Sequence, residues 1–510
     1  PKISFLSTGA TGTGKALVND VPIPTPEGYK LNGDLQVGDY VFNRKGEPVE
    51  VIGVYPQGER TVYRVTLTDG RSIECSGDHL WNYKSKTGNG AKQWKTVTTK
   101  ELMGKNLALP GKNNRTHYGF VLPMNEPTQL PEYEYHVDPY VLGSLLGDGC
   151  VTKPCFEFST GDVESADELA RLLGYPAFKC SGGNYSYTFT VGKTKSGLNK
   201  RLQVKDLLQQ VPELIGKKSY DKFIPEIYKL GSVEQRWALI QGLFDTDGHI
   251  SSNDRYNVEF STVSERLALD VQEVLWSLGI MTSITSSSNK RKDRQHIDTL
   301  QYNVHVKVAN HQKEQFFRLA RKRALAQESL TVVKQREKTF DVVAIKSIEK
   351  LDYKKEMTCI MIDDPEHLYQ AGKEHIVTHN TELAKVITEE LDIPLKRFDM
   401  SRYPRPEDAV EFANQLAQAA WSAPNGYILI DEVEKSSREA MNILLQVLDD
   451  ARLTAANNPN RVISFTGNII NLTTNLASEV FQHAKRFGNK EQDVDIELVY
   501  QALANSDVFE

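Results

Sequence analysis

Residues Gly9-Ala-Thr-Gly12-Thr-Gly14-Lys15 follow a short apolar run at 3–7 and read GxxxxGK, a phosphate-binding loop that stops one residue early. In such a loop backbone N–H groups cradle the phosphates and the lysine reaches the outer ones. A Ser or Thr hydroxyl in the next position holds Mg2+ where a helix begins. Here the next residue is Ala16, and strand-like alternation follows instead. The missing continuation is Thr381-Glu-Leu-Ala-Lys-Val-Ile-Thr-Glu-Glu-Leu391, which opens on a hydroxyl and carries apolar residues at helical spacing. Joining Lys15 to Thr381 restores GATGTGKT, so the sequence divides into two flanks, 1–15 and 381–510, and an insert, 16–380.

Composition bounds what these pieces can be. A chain of 510 residues is too long for one core and is expected to hold roughly three domains. With 39% hydrophobic and 25% charged residues it reads as globular, and no apolar run approaches the roughly 18 residues that span a bilayer. No signal-like segment opens it, so a cytoplasmic setting without membrane contact is expected. Cys75, Cys150, Cys155, Cys180 and Cys359 are odd in number and form no CxxC pair, which fits a reducing compartment and a cysteine that works alone. The net charge of −6 argues against DNA binding only until it is divided. Residues 381–510 carry 12 Lys+Arg against 21 Asp+Glu, which leaves the insert near neutral. The insert also has dense basic stretches at Lys290 to Arg294 and Arg318 to Arg323, although such runs are often only solvated faces.

Downstream of the loop, Tyr427-Ile-Leu-Ile-Asp431-Glu432 is an apolar strand ending in two acids, the arrangement that holds Mg2+ and polarises water. Asn475 ends another apolar stretch, 469–474. With Phe398 to Ser401 and Asn442 to Leu448, the flanks resemble the second ATPase module of Clp-type AAA+ unfoldases, a discontinuous RecA-like α/β fold. The resemblance implies ATP and Mg2+ bound through Gly9, Gly12, Gly14, Lys15, Thr381, Asp431, Glu432 and Asn475, with Thr381 and Asp431 on the metal. It implies an oligomer only for the spliced, full AAA+ protein. No aromatic-Gly pore loop is found between Arg402 and Ala423, and the arginine finger and second sensor would fall beyond Glu510, which puts unfoldase activity in doubt.

The insert ends on Thr378-His379-Asn380. An Asn side-chain amide can attack its own carbonyl carbon to form a succinimide, breaking the Asn380–Thr381 bond, while a neighbouring His moves the proton. Thr381 then offers a hydroxyl nucleophile. The insert begins with short alternating segments at 40–43, 49–55, 61–67 and 72–75, separated by Gly turns and expected as separate strands. Both ends resemble the all-β Hint splicing domain of inteins. Gly70 to Trp81 is similar to the block that sets Ser76 and His79 over the first scissile bond, and Met357 to Asn380, with Cys359, Asp364 and His367, is similar to the terminal blocks.

Position one departs from most inteins, which begin with Cys or Ser; Ala16 has no nucleophile. Inteins of the class 3 type lack that group and carry a Trp, a Cys and a Thr at fixed positions, and Trp81, Cys359 and Thr381 fall on all three. The resemblance implies initiation by Cys359 and no cofactor for splicing. Taken singly, a Cys in an apolar strand or a Trp beside a His is usually packing. Their coincidence at the edges of an interrupted phosphate loop is what carries the reading.

Two further motifs lie inside: Tyr140 to Gly149, ending Gly147-Asp148-Gly149, and Ala238 to Gly248, ending Asp245-Thr-Asp247-Gly248. Gly143 and Gly242 would let two such helices pack closely and bring Asp148 and Asp247 together at their C-terminal ends, where two carboxylates can share divalent metal for phosphodiester hydrolysis. The pair resembles the motifs of LAGLIDADG homing endonucleases, with Lys222 where that family often has a basic active-site residue and 267–280 as the helix after the second motif. This implies an α/β domain, Mg2+ on Asp148 and Asp247, and double-stranded DNA of the intein-free allele as partner.

The expected organisation is multidomain: flank 1–15, splicing domain 16–130 and 336–380, endonuclease 131–335, ATPase fragment 381–510. Two rivals are a permanently inserted DNA-binding regulator of an ATPase and an intein that has lost splicing. The first conflicts with the need for Thr381 beside Lys15; the second conflicts with the retained Cys359, His379, Asn380 and Thr381.

Overall fold

Apolar residues at alternate positions in segments such as 61–67 and 72–75 dictate strands with one buried face, and the apolar helices that end in Asp-Gly dictate a second kind of core. The computed structural model describes residues 4–7, 16–86, 94–110, 116–180, 185–251, 256–289, 299–332, 340–379, 393–431, 433–454 and 462–473. The chain forms two compact units, one of residues 1–13 and 381–510, the other of 14–380.

In the first unit, Ser4–Ser7, Ile469–Thr473, Tyr427–Asp431 and Leu395–Asp399 form a four-stranded sheet in that order, every neighbouring pair parallel. A parallel sheet needs crossovers that cover its faces, and the helices Ala409–Ser422 and Arg438–Asp450 supply buried Phe412, Leu416, Met441 and Leu444. Ser4 pairs with Ile470 and Ser7 with Thr473, so the two flanks build one sheet although the insert separates them in sequence.

In the second unit, an eight-stranded sheet runs in the order Tyr40–Phe42, Pro48–Leu67, Ser72–Ser76, Leu17–Val18, Val342–Ile362, Phe120–Pro123, Leu80–Ser85, Lys95–Thr98. The two separate strands expected at 49–55 and 61–67 are one strand of 20 residues. Its antiparallel partner Val342–Ile362 runs along the whole of it and absorbs the interruptions as register shifts, so Gly58, at φ 66°, turns no hairpin. A hairpin of Leu368–Ala371 and Ile376–His379 carries the last described residues of the insert.

The remaining part of this unit shows an internal repetition. The helix Pro139–Asp148, capped by Asp138 with Pro139 in its first turn, leads into a sheet containing Gly149–Cys150, Glu157–Ser159, Ser186–Lys193 and Ala177–Lys179. The helix Val233–Thr246, opened by a Ser232–Gln235 capping box, leads into Gly248–Ile250, Val258–Thr262, Thr299–Lys307 and Met281–Asn289. The two helices pack through their glycines. A Cβ on Gly143 would overlap the Leu239 carbonyl oxygen, and one on Gly242 that of Tyr140. The helix expected at 267–280 spans Glu265–Ser277, because Gly279 takes φ 74° and turns the chain into the next strand.

Candidate active sites

The amide nitrogen of Ala16 belongs to the bond between insert and upstream flank, and it sits in a buried strand junction. Ala16 is 1% exposed; its N–H donates to Ser76 Oγ at 3.2 Å, and its carbonyl accepts from the Ser76 N–H at 2.8 Å. On its other side, Leu17 pairs with Thr358 and Val18 with Met357, in the strand that carries Cys359 as its next residue. Cys359 is 3% exposed and shares one hydrophobic core with Ala16, Trp81 and Tyr369. Cys75, in the same core, has its thiol pushed up to about 12 by burial, which keeps it protonated.

His79 Nε2 meets the Thr378 hydroxyl, and its ring stands edge-on to Trp81 with centroids 5.1 Å apart. Trp81 donates from Nε1 to Thr99 Oγ1 at 3.0 Å, and that hydroxyl donates to the His79 carbonyl at 3.2 Å, so the indole and Thr99 fix the loop holding the imidazole. His379, 2% exposed, pairs with Leu368 across the terminal hairpin, and its ring lies 6.2 Å from that of His367, whose φ is 54°. Asp364 accepts from Asn43 Nδ2 at 3.0 Å and so ties the approach to this hairpin to the turn after Phe42. The structure thus gathers Ala16, Ser76, His79, Trp81, Cys359, His367 and His379 around the strand junction and the terminal hairpin. Gly9, Gly12, Gly14, Lys15, Asn380, Thr381, Glu432 and Asn475 lie outside the described residues, as does the helix expected at 381–391. Asp431 ends its strand in register with Asp399.

The second site lies where the two glycine-packed helices end. Asp148 is the last residue of its helix and Asp247 caps the other. Both carboxyls are held above the ordinary range by burial first. Asp247 is pushed to about 6, with the charge of Asp148 as the next cause. Lys222, 4% exposed, donates to the carbonyls of Leu145, Leu146, Gly147 and Gly149 at 2.9 to 3.0 Å. These are the orphan carbonyls of a helix C-terminus, where a cation is favoured.

A second lysine, absent from the sequence reading, does the same for the other helix. Lys322 donates to the carbonyls of Phe244, Asp245 and Gly248 at 2.7 to 2.9 Å. Burial lowers both ammonium groups to about 8, against the pull of the aspartates. Lys322 was hidden in the basic run Arg318 to Arg323. Its neighbours turn outward to acids, Arg321 to Asp162 and Arg323 to Glu314. The signal was present all the same, since Lys222 follows Asp148 by 74 residues and Lys322 follows Asp247 by 75.

Asp245, beside Asp247 in the motif, has a packing role and accepts from the Arg318 and Leu319 N–H groups and the Tyr140 hydroxyl. A cleft beside Asp148 is lined by Lys217, Lys218, Ser219 and Lys222, a cationic wall suited to phosphate. Among the described residues no group of three or more His, Cys, Asp or Glu is arranged to hold a metal ion. Two hard carboxylates with room for water and phosphate oxygens do fit the habit of Mg2+, which rarely takes an all-protein cage.

Comparison with known proteins gives two family matches. Residues 234–317 match a LAGLIDADG-like domain, and residues 370–506 match an AAA domain of the Cdc48 subfamily. The chain is 28% identical over 388 residues to a replicative DNA helicase DnaB of Mycobacterium intracellulare, covering 73% of this chain and 59% of that protein. It is 38% identical over 115 residues to a chaperone protein ClpB of Lactiplantibacillus plantarum, covering 20% of this chain and 13% of that one. The chain therefore spans less than two thirds of the length of either relative. A crystal structure of the Msm DnaB1 intein splicing domain bound with zinc aligns over 72% of this chain and 100% of that one at 12% identity, with a TM-score of 0.22. The chain is multidomain, with a β-sheet domain, a LAGLIDADG-like domain and an AAA domain, and these features fit an intein with an endonuclease inserted in an AAA+ ATPase. Among the described residues no helix is long and apolar enough to cross a membrane.

Proposed function

We propose that residues 16–380 excise themselves and join Lys15 to Thr381, with Cys359 as the first nucleophile. One observation carries the reading: the Ala16 nitrogen, which would be the leaving group, is held by Ser76 Oγ at the start of a strand that pairs with the residues just before Cys359. The Cys359 thiolate attacks the Lys15 carbonyl carbon, the bond to the Ala16 nitrogen breaks, and His79 supplies the proton to the departing amine. The upstream segment then rests on Cys359 as a thioester and passes to the Thr381 hydroxyl. Asn380 cyclises, breaking its bond to Thr381, with His379 moving the proton. The ester rearranges to an amide on the freed Thr381 amine. A thiolate outperforms a neutral hydroxyl as nucleophile, which orders Cys before Thr.

The pairing of Ser4–Ser7 with Ile469–Thr473 supports the same reading, because the product's two halves already share a sheet. The match to DnaB runs over 388 aligned residues, more than the 145 residues of both flanks, and so includes much of the insert. The endonuclease part would cut double-stranded DNA of the intein-free allele, with Asp148 and Asp247 holding Mg2+ that activates water and stabilises charge on the phosphate. The spliced flanks would bind ATP and Mg2+ as part of a Clp-type protein. Intact-protein mass spectrometry tests the splicing: the wild type should give an excised insert and a ligated flank. Cys359→Ala should leave Lys15–Ala16 uncut, and Asn380→Ala should accumulate a branched species. Normal splicing by Cys359→Ala would overturn the mechanism.

A further inference from the structure

The hairpin that carries His379 is anchored at its turn, and the anchor reaches into the endonuclease part. His375 lies in that turn with φ 50°, an uncommon conformation for a residue with a Cβ, and is 1% exposed. Tyr29 meets its Nε2 at 3.0 Å. Its Nδ1 lies 2.8 Å from Gln370 Oε1 and 3.1 Å from Thr128 Oγ1, and the Thr128 hydroxyl donates to the same Gln370 oxygen at 2.7 Å. Gln370 in turn donates to the Asn43 carbonyl at 3.0 Å.

Thr128 is itself held by the endonuclease part. Its N–H donates to the Ser277 carbonyl at 2.9 Å, and its own carbonyl accepts from Arg236 Nη2. Arg236 is wholly buried and also donates to Ser277 Oγ and, from Nε at 2.9 Å, to the Gly231 carbonyl. It stands in the first turn of the helix whose far end Asp247 caps. At the rim, Lys373 of the same hairpin turn pairs with Glu226 at 2.9 Å.

We infer that Arg236 and Thr128 are positioning residues for splicing: through Gln370 and His375 the docked endonuclease part holds the hairpin that presents His379 and Asn380 for cyclisation. A buried arginine with three donors satisfied across two modules is retained only if the modules stay docked, since removing either side leaves desolvated donors unpaired. A hairpin is a two-stranded ribbon with little stability of its own, and its register against a scissile bond needs an external fixture. The first scissile bond has its own fixture in Ser76 and the strand pairing, so the anchor should act on the second cleavage alone.

This inference rests on the splicing reading above, and the test separates the two. The full precursor is expressed as wild type, Thr128→Val, Thr128→Ser and Arg236→Met, and products are followed in time by intact mass. Thr128→Val keeps shape and leaves the carbonyl bonded to Arg236, so it removes the hydroxyl link without opening a cavity. It is expected to slow Asn380 cyclisation on the order of tenfold, the scale of one buried unpaired partner, while Lys15–Ala16 cleavage keeps its rate and branched species accumulate. Thr128→Ser should restore the wild-type rate, which a mere packing defect would not allow. Arg236→Met should show the same split more strongly. If Thr128→Val matches wild type, or if both cleavages slow in equal measure, the inference is overturned. If the wild type fails to splice, the splicing reading fails first.

Discussion

The two centres of the larger unit are built from opposite materials. Around Ala16 the groups are hydroxyls, an indole, a thiol and imidazoles, joined by hydrogen bonds such as Ala16 to Ser76 and His79 to Thr378. Around Asp148 and Asp247 stand four ionisable groups, two half-buried aspartates and two buried lysines, each moved from its ordinary pKa toward neutrality. The difference follows from where the reactant comes from. On the proposed reading, the splicing centre acts once on its own backbone, so folding delivers the substrate and no charge is needed to recruit it. An endonuclease must draw a polyanion and a metal from solution, and half-compensated carboxylates and lysines store that affinity at the expense of stability.

Independence of the centres is the first consequence to break. Cys359→Ala should abolish cleavage at Lys15–Ala16 and leave Mg2+-dependent cutting of uninterrupted-allele DNA intact. Asp148→Asn or Asp247→Asn should abolish cutting and leave splicing intact. Parallel DNA-cleavage and mass assays decide it, and loss of both activities in any one variant would mean that one cooperative fold serves both.

The two lysines sharpen the comparison within the charged centre. Lys222 and Lys322 hold equivalent helix ends, so Lys322→Met should lower DNA cleavage on the order of a hundredfold, as removal of one fixed donor from a charged site does. Splicing should be untouched, and Lys222→Met should match it. A Lys322→Met protein that cuts at the wild-type rate would make that residue a helix cap and nothing more.

What the sequence made legible follows the same division. The motifs Gly147-Asp148-Gly149 and Asp245 to Gly248 are local, and their glycines announce close helix packing, so both carboxylates could be read directly. Lys222 was readable beside Phe223-Ile224-Pro225, whereas Lys322 was camouflaged among arginines whose partners come from distant acids. On the splicing side, Ser76, His79 and Cys359 were legible through resemblance. The approach of the Leu17–Val18 strand to the residues before Cys359 was not, because it is a pairing between segments more than 300 residues apart in sequence. The merged strand Pro48–Leu67 failed for the same reason: Gly58 is a local turn signal overridden by a long partner.

The glycine contact gives a smaller, purely structural effect. Gly143→Ala must push apart two helix backbones, and overpacking of this kind costs about 1–3 kcal/mol. For a domain of about 150–250 residues, the range that holds the part at 131–335, that is a fall in Tm of about 2–4 °C per kcal/mol. Calorimetry should register it together with weakened DNA cutting, while Gly174→Ala, at a positive φ in open surroundings, should strain only its own turn.

The smallest effect concerns a titration that links the two halves of the comparison. His375 sits between them, and burial, followed by the nearby charges of Arg236 and Arg71, lowers it to about 3. An ordinary imidazole takes its proton near 6.5, so as pH falls the unfolded chain is protonated first and folding must hold His375 neutral. The stability this contributes is complete above about 6.5 and is lost progressively toward 3. Tyr29, Thr128 and Gln370 face the ring, and none can accept a second proton from it without breaking an existing bond. Glu374, one residue away, runs the other way, since burial raises its carboxyl and the folded state gains by protonating it. Asp247, held at about 6, also runs that way between pH 7 and 5.5, so the share of the imidazole is the difference in slope between proteins with and without it. Over that window the Tm of an Asn380→Ala, Cys359→Ala precursor should fall more, or rise less, than that of the same precursor with His375→Gln, which keeps a donor and an acceptor without the titration. Identical slopes in the two proteins would show that other groups carry the pH dependence and that the anchor is indifferent to His375 protonation.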